Sequence, residues 1–374
     1  MDNCLGVILN SNIESEFGSL CYNRPAYMLP YVGRYRLIDF TISNMVNHGI
    51  RTIALYTGDK IRSTMDHLGD GKPWELNRRF TGLFLFPPTY DDNRLGRMGE
   101  VSQINSTEPF YENMREEYIF YAHPNVVAKV DLDEVFKKFV ETDADITLIY
   151  KEQLDPKGEY INVDKLHLNK KGELINIGLN LGTENTFNQY LGMGFIKKSV
   201  LMSVVKIATE KGIANLLKEA MLLQKHRLKI NTYEYKGYVQ TIRNLETYFK
   251  SSMDLLDTDV YRKLFFQDGL VYTKAKDEPP TIYREDARVE NSLIANGCVI
   301  EGVVEDAIVF RGVTVGKGAI VKNSILMQKY EVGENAVVVN TIIDKYSSIE
   351  AGVNVAGSSV IPYVLEKRGH IRRD

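Results

Sequence analysis

The chain has 374 residues, with 46 Lys and Arg against 49 Asp and Glu and a formal net charge of −3. That length accommodates two ordinary domains, and the charge leaves no footprint for nucleic acid or an acidic membrane surface. Cys4, Cys21 and Cys298 show no CxxC spacing, no apolar run is long enough to span a bilayer, and no basic-then-apolar leader is visible, so a cytoplasmic chain without disulfides or a zinc ribbon is expected.

Leu5, Val7, Ile8 and Leu9 form a nearly continuous apolar run, the pattern of a buried parallel strand. Ile38, Ile42, Met45 and Val46 recur at helical spacing. The loop between them, of roughly 20 residues, is long enough to be functional. It leaves the first strand at its carboxyl end, where α/β sheets bind ligands. Residues 51–57 read as the next strand and complete a βαβ unit.

Residues 66–88 carry Trp74, the single tryptophan, and the pair Arg78–Arg79; residues 91–117 are polar and acidic. Residues 118–122 are strand-like, and Leu132, Val135, Phe136, Phe139 and Val140 make one helix face. Residues 145–150 give another strand, and 166–180 a hairpin turning at Lys-Lys-Gly. Leu245, Tyr248, Phe249, Ser252 and Leu256 form a mainly apolar helix face.

Pro279-Pro280 then breaks helix and strand alike, and beyond it the sequence repeats. Cys298, Val315, Val332 and Ile349 form one row; Val304, Val321, Val338 and Val355 a second; Ile308, Ile325 and Ile342 a third. Gly316, Gly333 and Gly352 fall at or near corners. Three inward rows per short coil predict a parallel β-helix. The expected domains are 1–256 (α/β), 257–287 (linker) and 288–374 (β-helix), the last ending in a basic tail with Lys367, Arg368, Arg372 and Arg373.

GRYRLIDFTISNMVNHGI at 33–50, Met193-Gly194 and Leu245-Glu246-x-Tyr248 resemble bacterial glucose-1-phosphate adenylyltransferases. The resemblance implies a Rossmann-type mixed sheet followed by a left-handed β-helix of hexapeptide-like repeats. It also fails in an informative way. The family's loop glycines fall on Ser11, Asn12 and Glu14, its loop arginine on Glu16, and the lysine of its Arg-Ala-Lys-Pro on Ala26. Its two magnesium-binding aspartates fall on Asn125 and Thr241, and its sugar-phosphate Glu-Lys pair on Leu179 and Asn180. Its base-binding turn has only Gly99-Glu100-Val101-Ser102-Gln103 in roughly the right place.

Such a site must hold a triphosphate with cations and backbone N–H groups. At an effective dielectric of about 20, a carboxylate about 4 Å from a phosphate oxygen is repelled by roughly 4 kcal/mol. No catalytic or metal-binding residue is therefore expected. The pattern resembles the family's D-type, non-catalytic subunit. That implies association with a catalytic glucose-1-phosphate adenylyltransferase subunit in a heterotetramer, with Mg²⁺ only in the partner. Arg24 and Arg34 are the candidate contacts for an anionic effector. Two other readings stand beside it. One is an active nucleotidyltransferase using Asp39, Asp91, Asp92 or Asp131 for metal; the other is a sugar-phosphate or nucleotide sensor.

Overall fold

The structure is a computed structural model that describes residues 1, 3–88, 99–213, 215–358 and 360–373. Asp91 and Asp92 lie outside the described residues. The first strand, Cys4–Ile8, is buried on both faces and pairs in parallel with Thr52–Tyr56 and with Tyr118–Ala122. Gly82–Phe86 extends the sheet beyond Thr52–Tyr56. On the other side the long strand Thr186–Lys197 runs antiparallel to Tyr118–Ala122 and to Ile146–Leu154, and the sheet is mixed. Gly194 permits that last pairing, since a Cβ there would stand 2.2 Å from the Thr147 carbonyl oxygen. The expected hairpin is formed by Asp164–Leu168 and Leu174–Leu179.

Helices cover both faces. Helix α1 (Leu37–Asn47) starts where the Asp39 carboxylate accepts from the Arg36 backbone N–H. Helix α2 (Ile61–Leu68) follows the second strand, and α3 (Glu100–Ser106) and α4 (Glu108–Asn113) precede the strand at Tyr118. Helix α5 (Leu132–Glu141) is capped by Asp131, which accepts from the Glu134 N–H. Helices α6 (Lys198–Glu210) and α7 (Leu217–Leu223) lie across the sheet from α1 and α5. Helix α8 (Leu245–Met253) begins at a capping box between Asn244 and Thr247.

The span 257–287 holds more than a connection. It contains helix α9 (Thr258–Phe265), which buries Leu264 and Phe265, and the first coil strand, Ile282–Tyr283. From there the β-helix stacks three parallel sheets of six, five and five strands. Two rows run as the sequence predicts, through Val304–Val321–Val338–Val355 and Ile308–Ile325–Ile342. The third row differs: Val315 stacks on Ile300, not on Cys298. The coil that precedes Val315 is two residues short, so its register step is 15 where the next coil steps by 17.

A third core joins the two domains. Phe17, Leu20, Tyr31 and Phe40 from the N-terminal domain pack with Tyr248 and Phe265, and with Ile308, Phe310, Ile325, Met327 and Ile342 on one β-helix face. Arg24 seals this junction, its Nη2 donating 2.8 and 2.9 Å to the two Asp344 oxygens.

Candidate functional site

The strands Cys4–Ile8 and Tyr118–Ala122 end at a cleft of about 220 Å³. Leu9, Ser11 and Ile13 enter it from the first loop, and His123 and Asn125 from the second. Thr241, Arg243, Asn162, Asp164, Glu100 and Lys218 add further polar groups, with the hydroxyls of Tyr121 and Tyr190.

These polar groups are already joined to one another. Asn125 Oδ1 accepts from Ser11 Oγ at 2.8 Å, and Asn125 Nδ2 donates to the Ile242 carbonyl at 3.0 Å. Thr241 Oγ1 accepts from Gln189 Nε2 at 2.8 Å. A hard divalent ion needs carboxylates or free carbonyl oxygens. One amide already held at both ends and one hydroxyl do not fit the magnesium pair that the family resemblance implies.

The carboxylates that do line the cleft are committed elsewhere. Glu100 Oε1 meets His123 Nε2 at 2.8 Å, and its Oε2 accepts from the Leu217 N–H at 2.9 Å. Asp164 accepts from Lys218 at 2.5 Å. Burial pulls the His123 imidazole down, but the charge of Glu100 and its hydrogen bond outweigh that and hold it above its ordinary value. Tyr121 and Tyr190 share a 2.8 Å hydrogen bond between hydroxyls, and burial pushes both phenols up.

Of Glu16, Ala26, Asn125, Leu179, Asn180 and Thr241, where the family has charged ligands, Asn125 and Thr241 line the cleft. The other four do not. Glu16 is exposed, its carboxylate met by Ser15 Oγ, so it does not supply the expected repulsion in the cleft. Ala26 is buried in the junction core. Leu179 is exposed, whereas Asn180 is buried and donates to Asp155 and to the Tyr160 carbonyl, holding a turn. Arg24 is not open to an effector either, because Asp344 occupies its guanidinium.

Arg34 does face a cavity, of about 240 Å³, between the first loop and the β-helix. Lys276 and Arg311 line it as well. Arg311 Nη1 is buried with no hydrogen-bond partner among the described residues. Burial and the nearby Arg34 lower the Arg311 guanidinium, and burial with Arg36 and Arg24 pushes the Lys345 amine well below its usual range. Burial likewise lowers Arg36, to about 10.

Comparison with known proteins fits this architecture. Residues 7–160 match the nucleotidyl transferase family, and residues 280–359 match the GlmU-like C-terminal hexapeptide family. The glycogen biosynthesis protein GlgD of Bacillus subtilis (strain 168) is 35% identical over 363 residues, covering 97% of this chain and 95% of that protein. The chain belongs to the GlgD family. GlgD of Geobacillus stearothermophilus is 36% identical over 85% of this chain and 82% of its own length. The glucose-1-phosphate adenylyltransferase of Bacillus cereus (strain Q1) is 26% identical over 85% of each chain.

In this GlgD-family chain Asn125 and Thr241 are cleft positions legible in sequence, whereas the ionic pairs of the cleft are not. Glu100 and His123 stand 23 positions apart and make sense only as a pair. Asp164 and Lys218 are 54 apart. The one sequence signal was Gly99-Glu100, where helix α3 begins.

Proposed function

We propose that this chain is a catalytically silent subunit of glycogen synthesis. It associates with a catalytic glucose-1-phosphate adenylyltransferase, as a heterotetramer, and raises ADP-glucose formation from ATP and glucose 1-phosphate. The observation that carries this reading is the Ser11–Asn125–Ile242 chain of hydrogen bonds at a position where the resemblance calls for a metal-binding carboxylate. Relatives named for glycogen biosynthesis and for glucose-1-phosphate adenylyltransferase support the pathway. Mg²⁺ then acts in the partner's site, and the assembly works in the cytoplasm. Among the described residues, no helix is long and apolar enough to cross a membrane.

The test is turnover of ATP and glucose 1-phosphate by the chain alone, by the catalytic paralogue alone, and by the mixture. Silence alone, co-elution with the paralogue and a changed rate in the mixture are expected. Turnover comparable to the paralogue's, or neither co-elution nor a rate change, overturns the reading.

The cavity beside Arg34 favours a second element, an anionic metabolite as effector. Arg34, Lys276 and Arg311 crowd positive charge where Arg311 Nη1 has an unmet donor. An anion there would act through differential affinity for two states of the assembly. The reading as an active enzyme has less support. Asp39 meets His67 at 2.6 Å and caps α1, and Asp131 caps α5.

A further inference from the structure

We propose that His48, Asp131 and Asp133 bind one divalent transition-metal ion of the zinc class, tying the end of helix α1 to the start of helix α5. The proposal is independent of the subunit reading.

His48 caps the C-terminal end of α1, and its side chain is only 9% exposed. Its Nδ1 lies 2.8 Å from the Asn44 carbonyl oxygen. A carbonyl oxygen only accepts, so Nδ1 carries the proton. In the neutral ring Nε2 is then a bare lone pair. It has no hydrogen bond among the described residues; Asp131 Oδ1 stands at 3.7 Å, beyond hydrogen-bond reach.

One ligand atom from each of His48, Asp131 and Asp133 lies within 4.8 Å of the others. A lone pair this close to carboxylate oxygens is repulsive until a cation sits between them. One imidazole nitrogen and two carboxylates suit zinc and its neighbours, with solvent completing the shell. A ligating histidine is usually oriented through its other nitrogen by a carbonyl or carboxylate, as Asn44 does here.

Closing to metal–ligand distances of about 2.0–2.2 Å requires small side-chain rotations. Asp131 and Asp133 are exposed and free to make them. Asp131 Oδ1, the oxygen 3.7 Å from Nε2, also caps α5 through one lone pair, and its other lone pair is the one offered to the metal. The C-terminal end of α1 favours a cation. The Met1 ammonium donates to the His48 carbonyl at 3.1 Å and opposes one. The rival occupant is a proton on Nε2, which makes an ordinary ion pair with Asp131.

The experiment is a calorimetric titration of the chelator-stripped full chain with Zn²⁺ alone, paired with thermal unfolding with and without the ion. One equivalent bound in the micromolar range and a raised melting temperature are expected. Asp133→Asn removes an exposed ligand without disturbing the cap. It should weaken binding by about tenfold or more, since even outer-shell losses cost about that much, and should abolish the thermal shift. His48→Gln should do the same. No saturable one-equivalent binding, or binding unchanged in both variants, overturns the proposal. The first outcome leaves the proton as occupant, and the second places the ion elsewhere.

Discussion

At Asn125 an amide nitrogen stands where the family resemblance calls for a carboxylate oxygen. The amide donates to the Ile242 carbonyl while its oxygen takes the Ser11 hydroxyl. In Asn125→Asp a carboxylate oxygen would face that carbonyl, leaving two acceptors opposed in a buried place. A loss of about 1–3 kcal/mol is expected, read as a lower urea midpoint, with no gain in turnover because Thr241 remains neutral. His123 gives a second residue-scale outcome. Its folded pKa is raised, so it contributes stability that is fully present below the unfolded value, about 6.5. That contribution fades as pH rises through the folded value. His123→Gln should therefore fall furthest below wild type in mildly acidic solution, and the gap should close toward alkaline pH. Urea unfolding at a series of pH values measures it. Neither pairing was legible in sequence: Asn125 showed only as a missing carboxylate, and the partner of His123 is brought by a separate helix.

Among the elements, the repeats were the most legible because each inward row reads directly as a periodic apolar position. The exception has a mechanical reason. Residues 298 and 315 are 17 apart, yet the short coil between them moves the stacking partner to Ile300. Register follows coil length, and one short corner shifts a row without changing its hydrophobicity. Arg24 misled for the opposite reason. Beside a loop it reads as a free cation, but its partner lies 320 residues away on the β-helix. Removing one member of a buried ion pair strands the other, so Arg24→Met should cost about 3–5 kcal/mol. Arg24→Met with Asp344→Leu should recover much of it. Denaturant unfolding of the single and double variants checks both.

Across the whole molecule, buried cations gather where the two domains meet. Lys345 is held well below its usual value by burial and by Arg36 and Arg24. A base with a depressed folded pKa weakens the fold below that value, and the penalty lifts as pH rises toward the unfolded pKa. Phosphate, AMP or fructose 1,6-bisphosphate should bind in the cavity lined by Arg34, Lys276 and Arg311. Arg311→Gln should weaken the calorimetric signal about tenfold, the cost of one charge-assisted bond of about 1.5 kcal/mol. A flat titration for all three compounds would remove the effector reading. Arg34 and the fold class pointed to this place from sequence, but Lys276 and Arg311 converge on it only through the packing of the β-helix.

The apolar seam between the halves also governs how the chain can be divided. A fragment stopping before the first coil would leave Phe17, Leu20, Tyr31 and Phe40 without the Ile308–Phe310 surface that now shields them. Such a fragment should be recovered in inclusion bodies, and the solenoid half alone should be just as sticky. The two halves should therefore be expressed and lost as one piece, whatever becomes of the cleft.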